Sequence, residues 1–298
     1  MAVLNLSELI NHSVEHDYQL PAINVQSLSV LKGAIVWAKK HDVPFVVTIE
    51  GSQVEKGLIP SIEELLRQEE IASSLIARQI SDKNQAVEAL RRGCQALFLN
   101  NNCNEQDKRE IEEIANACGI ITQAEDSLAN NFLEIDHLVE FGSVVKETEQ
   151  VNTWDQLEGV VTNTVINSLS NSLEQIKAKG MAVDAKNKCK IYAPIEHLII
   201  YNSTVNDEQT REAGQMGTTV LDKIPGVRAT WRGESVDSNA KYRWCWLIRF
   251  ANESVIASYR EHPDHVAYAN EQFRPIADNR ISIDYVLFGP ESRLNGSK

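Results

Sequence analysis

The chain has 298 residues, 43% hydrophobic content and a formal net charge of −13. That length suits two domains or one large α/β barrel, and with neither a run of 18 apolar residues nor a basic-then-apolar start, a soluble cytoplasmic protein without a signal peptide is expected. Residues 1–190 hold 17 basic and 28 acidic residues against 12 and 14 in residues 191–298, so the acidity sits in the first part and speaks against nucleic acid or an anionic membrane as partner.

In chain order, Leu6, Leu9, Ile10 and Val14 recur at helical spacing within Leu6–Asp17, and Leu20–Val25 is a short apolar strand beginning around Pro21. Ser27 or Ser29 caps a helix over Ser29–His41, whose basic end suits the helix dipole. Pro44–Glu50 is β-branched without alternation, as in a strand covered on both faces. A Ser61-to-Glu64 capping box predicts a helix over Ile59–Ile80 that turns to strand near its end. A helix over Asp82–Gly93, a strand over Cys94–Asn100, a helix over Asn104–Cys118 and a strand over Gly119–Glu125 follow. This alternation of uncharged strands with helices predicts a largely parallel sheet with helical cover. Beyond it, Ser127–Phe141 reads as helix or linker, Ser143–Val151 as strand and Leu157–Gly180 mostly as helix, with the polar KNKCK of Lys186–Lys190 at a border. Cys94, Cys103, Cys118, Cys189 and Cys245 are odd in number and widely spaced, which is neither a disulfide framework nor a zinc knuckle.

The order and spacing of LSELINHSVEHDYQLPAINVQSLSVLKGAIVWAKKHDVPFVVTIE, ISDKNQAVEALRRGCQALFLNNN and REIEEIANACGIITQAEDS resemble the class II fructose-bisphosphate aldolases over Leu6–Ser127. The resemblance implies a barrel scaffold and, in the family, a zinc-dependent site. Carried over position by position, that site is largely missing. Arg78 stands at the family's acid/base aspartate, Gln79 at a zinc histidine, Ile80 at the following glycine and Asn100 at the aspartate of the next strand. Gln123 replaces the first glutamate of VEAELG, and only the second survives, as Glu125. A metal that polarises an enediolate needs several convergent ligands, so no metal is expected here. Arg78 stays open as an anion-binding residue, with Gln79, Asn100 and Glu125 around it.

A complete (β/α)₈ barrel takes about 250 residues, more than the first 190, so this part reads as a partial or remodelled TIM-like barrel. The remainder alternates differently. Strands over Ile195–Thr204, Val227–Ser235, Lys241–Asn252 and Arg280–Phe288 are separated by helices over Val205–Val227 and over Glu253–Asp278, the second interrupted at Pro263. The β-α-β-β-α-β order is ferredoxin-like, and Tyr242, Trp244, Trp246 and Ile248 mark one apolar face of the third strand. The expected domains are therefore 1–190, 191–290 and a tail over 291–298.

IEHLIIYNSTVNDEQ, DKIPGV and WLIRFANESVIASYREHPDHVAYANEQFRPIADNRISIDYV resemble the stress-responsive dimeric α/β-barrel family over about 95 residues. The resemblance implies an α+β ferredoxin-like domain whose sheet faces that of a second copy, closing a dimeric α/β barrel. It also implies roles: in polyketide cyclases of the olivetolic acid type, the tyrosine and histidine of YxxHPxH do the chemistry, and Tyr259 and His265 stand there. His265 would be the general base of an aldol-type ring closure and Tyr259 would polarise a carbonyl. His197, His262, Trp244 and Trp246 are ligand-binding candidates beside them. The plainer reading is that His265 packs or lines an interface, that His262 and Pro263 fix a helix start, and that Trp231, Trp244 and Trp246 belong to core or interface.

Three functions stand in order. The first is a non-catalytic aldolase-like protein fused to a dimerising module that binds a small organic ligand. The second is a cofactor-free cyclase-like enzyme using Tyr259 and His265. The third is a divalent-metal aldolase, against which the replaced site residues speak.

Overall fold

The computed structural model describes residues 3–124, 132–135, 163–167, 169–171 and 173–287. The chain forms two compact units, one of residues 1–112 with 120–192 and one of residues 193–298 with 113–119.

The N-terminal unit is a six-stranded parallel sheet with flanking helices. Its elements are α1 (Leu6–Glu15), β1 (Leu20–Asn24), α2 (Leu28–His41), β2 (Phe45–Glu50), α3 (Leu58–Gln68), β3 (Ser73–Ile80), α4 (Lys83–Arg91), β4 (Ala96–Leu99), α5 (Glu105–Ala117), β5 (Ile121–Ala124), β6 (Phe132–Ile135), α6 (Leu173–Ile176) and α7 (Ala182–Lys188). Strands β1 to β4 are buried almost throughout, which is why they read as apolar runs without alternation. Trp37, Phe45 and Leu31 have no exposed surface and anchor this core. Ser27 caps α2 by accepting from the Val30 amide.

The strand order is β5-β4-β3-β2-β1-β6. The last strand lies beside the first, as in a closed barrel, yet among the described residues β5 and β6 do not pair with each other. This is an open, partial TIM-like barrel.

Two local expectations fail here. Helix α3 begins at Leu58 behind Gly57, whose φ of 74° turns the chain, so Ser61 lies inside the helix rather than at its cap. Pro60 falls in the first turn, where its missing N–H is not needed. The stretch 127–141, read as helix or linker, contains β6, which pairs in parallel with β1 from Leu20↔Phe132 to Ile23↔Ile135. The strand expected at 143–151 lies outside the described residues. Residues 163–167 and 169–171 are helical, as expected.

The C-terminal unit comprises β7 (Ile195–Ser203), α8 (Asp207–Leu221), β8 (Val227–Glu234), β9 (Trp244–Phe250), α9 (Val255–Glu261), α10 (Pro263–Tyr268), a π-turn (Ala269–Phe273) and β10 (Ala277–Val286). Its antiparallel sheet has the order β10-β7-β9-β8, the ferredoxin-like arrangement. Strand β9 alternates as predicted, with Trp244, Trp246, Ile248 and Phe250 buried against the helices. Pro263 has no N–H to continue α9, and His262 before it is extended at φ −61°, ψ 131°, so the helix breaks and α10 starts anew.

Candidate functional site in the C-terminal unit

Between the helix-covered face of this sheet and α9–α10 lies a cavity of ≈ 310 Å³. Strand register explains who lines it. On β7, His197 and Ile199 share a face with Phe250 of β9, and on β10 they lie opposite Asp284 and Ser282. From the other side, α9 contributes Tyr259 and Arg260, and α10 contributes His265. Arg274 and Arg280 place two further guanidiniums at its wall.

The aromatic stack is continuous. Phe250 and Tyr259 have ring centroids 4.8 Å apart, and Tyr259 and His265 are 4.3 Å apart. His197 lies 6.3 Å from Tyr259 on the opposite wall. Tyr259 is only 4% exposed, and burial raises its hydroxyl well above the usual phenol range.

The hydrogen bonds fix the imidazoles. A backbone carbonyl can only accept, so His265 Nδ1–H donates to Arg260 O at 3.1 Å and Nε2 keeps the lone pair. Burial disfavours its charged form, and Arg274, His197 and His262 oppose it further, so despite the Arg260 bond its pKa lies below the ordinary histidine value. His197 has Nδ1 2.6 Å from Asp284 Oδ1, a contact that orients the ring. Its Nε2 lies 3.4 Å from Ser282 Oγ. The arrangement thus offers an uncharged base, a buried phenol and a carboxylate-backed second histidine around one cavity.

The remaining candidates stand elsewhere. His262 caps α10, its Nδ1 accepting from the Asp264 amide at 3.3 Å. Trp246 is 2% exposed and meets Tyr268 edge to face at 6.2 Å, and Trp244 is buried beside the Arg211 and Arg243 guanidiniums. Both pack the core rather than the cavity wall. Arg78 is in the other unit, on β3 opposite Glu50 of β2. Nearby, Asn24 Nδ2 donates to Glu50 Oε1 at 3.1 Å, and Asn100 donates to the Gln79 side chain. These are the strand ends where barrel enzymes carry their sites, and among the described residues they hold amides and no histidine. Glu125 lies outside the described residues. The sequence reading missed Asp284, Ser282, Arg274 and Arg280. The signal was available: a ferredoxin-like order sets the last strand antiparallel to the first, and Ser282 and Asp284 then share the face of His197.

The family model described as the stress responsive A/B barrel domain (Dabb) matches residues 195–287. No curated protein matches the chain. Among solved structures, a Dabb family protein with a ferredoxin-like fold from Mesorhizobium loti is 22% identical, with a TM-score of 0.31 over 33% of this chain and 99% of that one. A protein from Coccidioides immitis proposed to be a fructose-1,6-biphosphate aldolase is 14% identical, with a TM-score of 0.51 over 60% of this chain and 97% of that one. The YdjI aldolase from Escherichia coli is 11% identical, with a TM-score of 0.51 over 60% and 99%. The C-terminal region therefore matches the Dabb family, and the N-terminal region shares an aldolase-like fold at low identity.

Proposed function

We propose that the C-terminal unit is a cofactor-free acid–base enzyme for a small organic carbonyl compound, carried by an N-terminal unit that no longer performs aldolase chemistry. The observation behind this reading is His265, whose Nδ1 is tied to a carbonyl while its ring lines the cavity against Tyr259. His265 Nε2 takes a proton from the carbon beside a carbonyl. Tyr259 O–H hydrogen-bonds to the oxygen on which the charge collects. The resulting carbanion attacks a second carbonyl of the same molecule, forming one C–C bond. The imidazolium returns the proton to the new alkoxide. Polyketide-type ring closure by Tyr259 and His265 is the reaction class that the sequence resemblance implies.

The parts of the reading are consistent in charge and location. Arg274 and Arg280 favour an anionic group on the ligand. All five cysteines are free of disulfides, which suits a reducing cytoplasm. Among the described residues no helix is long and apolar enough to cross a membrane. The partner in this reading is a second copy of the chain, meeting the helix-free face of the C-terminal sheet. Neither nucleic acid nor a membrane enters it. Aldolase chemistry is not proposed, since Arg78, Gln79 and Asn100 replace the ligands and acid it needs.

The test is α-proton exchange of a 1,3-diketone, benzoylacetone, in D₂O followed by NMR. The unmodified protein is expected to accelerate exchange. His265→Ala and His265→Gln should lower the protein-dependent rate by about 10²–10⁴-fold, the range for a positioned base, and Tyr259→Phe should also slow it. Equal rates for unmodified protein and correctly folded His265→Gln would overturn the catalytic reading.

A further inference from the structure

A second cluster lies in the N-terminal unit, remote from the barrel's strand ends. His12 of α1 and His16, which ends that helix, are four residues apart and so share one face. Their rings stack at 4.2 Å with an interplanar angle of 17°. Asp184 of α7 meets both: its Oδ2 is 2.8 Å from His12 Nε2 and 3.3 Å from His16 Nε2. The three atoms all lie within 4.8 Å of one another. Ligands around a tetrahedral zinc ion, each about 2.0–2.2 Å from it, stand roughly 3.3 Å apart, so the spacing already suits one.

The outer contacts are also those of metal-binding imidazoles. His16 Nδ1–H donates to the His12 carbonyl at 3.0 Å, which fixes Nε2 as the lone-pair nitrogen. His12 Nδ1 is 2.9 Å from the buried Tyr18 hydroxyl, a partner that can take its N–H while Nε2 turns to a metal. His12 itself is only 3% exposed. A cation already stands at this spot: Lys188 Nζ is 2.8 Å from Asp184 Oδ2 and 3.2 Å from His16 Nε2. A tethered ammonium placed between a carboxylate and an imidazole lone pair marks where positive charge is favoured. The Lys188 side chain is 53% exposed and can leave into solvent.

We infer that His12 Nε2, His16 Nε2 and Asp184 Oδ2 form a zinc site in which the metal replaces the Lys188 ammonium and clips α7 to α1. Two imidazoles and one carboxylate on a helix pair, with the fourth position open to water, are a zinc donor set. The clip joins an early helix to the last helix of the unit, so its effect is to hold the ends of this unit together.

The full chain is stripped with EDTA and titrated with zinc against a chromophoric chelator, then with cobalt(II) to read the tetrahedral visible bands. One equivalent of zinc is expected, with a rise in thermal midpoint. His16→Ala and Asp184→Asn should weaken binding by about 10-fold or more, and Lys188→Met should tighten it by removing the competing ammonium. His16 and Asp184 are partly exposed, so these variants fold where His12→Ala would leave Tyr18 unpaired. Absence of stoichiometric binding, or binding that His16→Ala and Asp184→Asn leave unchanged, overturns the site.

Discussion

At His265, burial and the charges of Arg274, His197 and His262 all oppose protonation, and only the Arg260 carbonyl favours it. The sign of the resulting pH dependence follows. The folded-state value lies below the unfolded one of about 6.5, so the unfolded chain binds more protons, and this residue's stabilising contribution is lost as pH falls below about 6.5. Substituting His265→Gln removes that term. The difference in melting temperature between unmodified protein and His265→Gln is therefore expected to move in favour of the variant between pH 7.5 and pH 5, measured by calorimetry. A difference independent of pH would show that His265 titrates normally. Tyr259 and His265 were singled out through the resemblance to the YxxHPxH motif, and both line one cavity. Asp284 went unread: the ferredoxin-like order puts its strand beside that of His197, and the register of that pairing sets the two side by side. The same holds for Asp184: the four-residue spacing of His12 and His16 is visible in the sequence, and the carboxylate that joins them is supplied by a helix far along the chain.

Helix α8 shows how packing decides between opposite effects of one substitution. A Cβ on Gly217 would stand 2.3 Å from the Tyr268 ring, whose hydroxyl donates to the Ala213 carbonyl at 3.0 Å. A Cβ on Gly214 would meet the side chain of Arg232 at 2.9 Å, a flexible group with exposed length to yield. Alanine gains about 1 kcal/mol over glycine in a helix interior. At Gly217 that gain is outweighed by overpacking of about 1–3 kcal/mol and by loss of a hydrogen bond worth about 1 kcal/mol. Chemical denaturation should show Gly217→Ala destabilised by about 1–3 kcal/mol and Gly214→Ala near neutral. Equal midpoints for the two variants would refute the contact. Most elements were readable from periodicity, including the break at Pro263. Strand β6 was not, since its few residues lie in a stretch without helical or alternating pattern, and only its pairing with β1 makes it a strand. The start of α3 was misplaced because Ser61 and Glu64 satisfy a capping pattern while Gly57 and Pro60 set the actual first turn.

Among the described residues of the C-terminal unit, the helix-free face of the sheet carries an exposed apolar row. Register aligns Ile283, Leu198, Leu247 and Trp231 in one row across all four strands. Ile283 is 43% and Trp231 45% exposed. Beside them Glu196 is 2% exposed, accepts from Arg249, and has Oε2 without a hydrogen-bond partner among the described residues. A second sheet laid on this face would cover the apolar row. Sedimentation of the full chain is expected to give a dimer, and Trp231→Glu combined with Ile283→Lys a monomer. An unmodified monomer at micromolar concentration would remove this interface. The strand–helix order changes near residue 190, close to where the second compact unit resumes at residue 193. The aldolase-like scaffold was legible from order and spacing, while the replacement of the family's site residues was read from single positions such as Arg78 and Asn100.

The strand order of the N-terminal unit also has a consequence for how the protein is made. Strands β1 to β5 pair in the order in which they leave the ribosome, each joining the growing edge by a local crossover. The other edge of β1 is completed only by β6, beginning at Phe132 against Leu20. Until more than a hundred further residues have been synthesised, a nascent chain presents Leu20–Asn24 as an apolar, unpaired template, at the stage when a neighbouring polypeptide on the same message is closest.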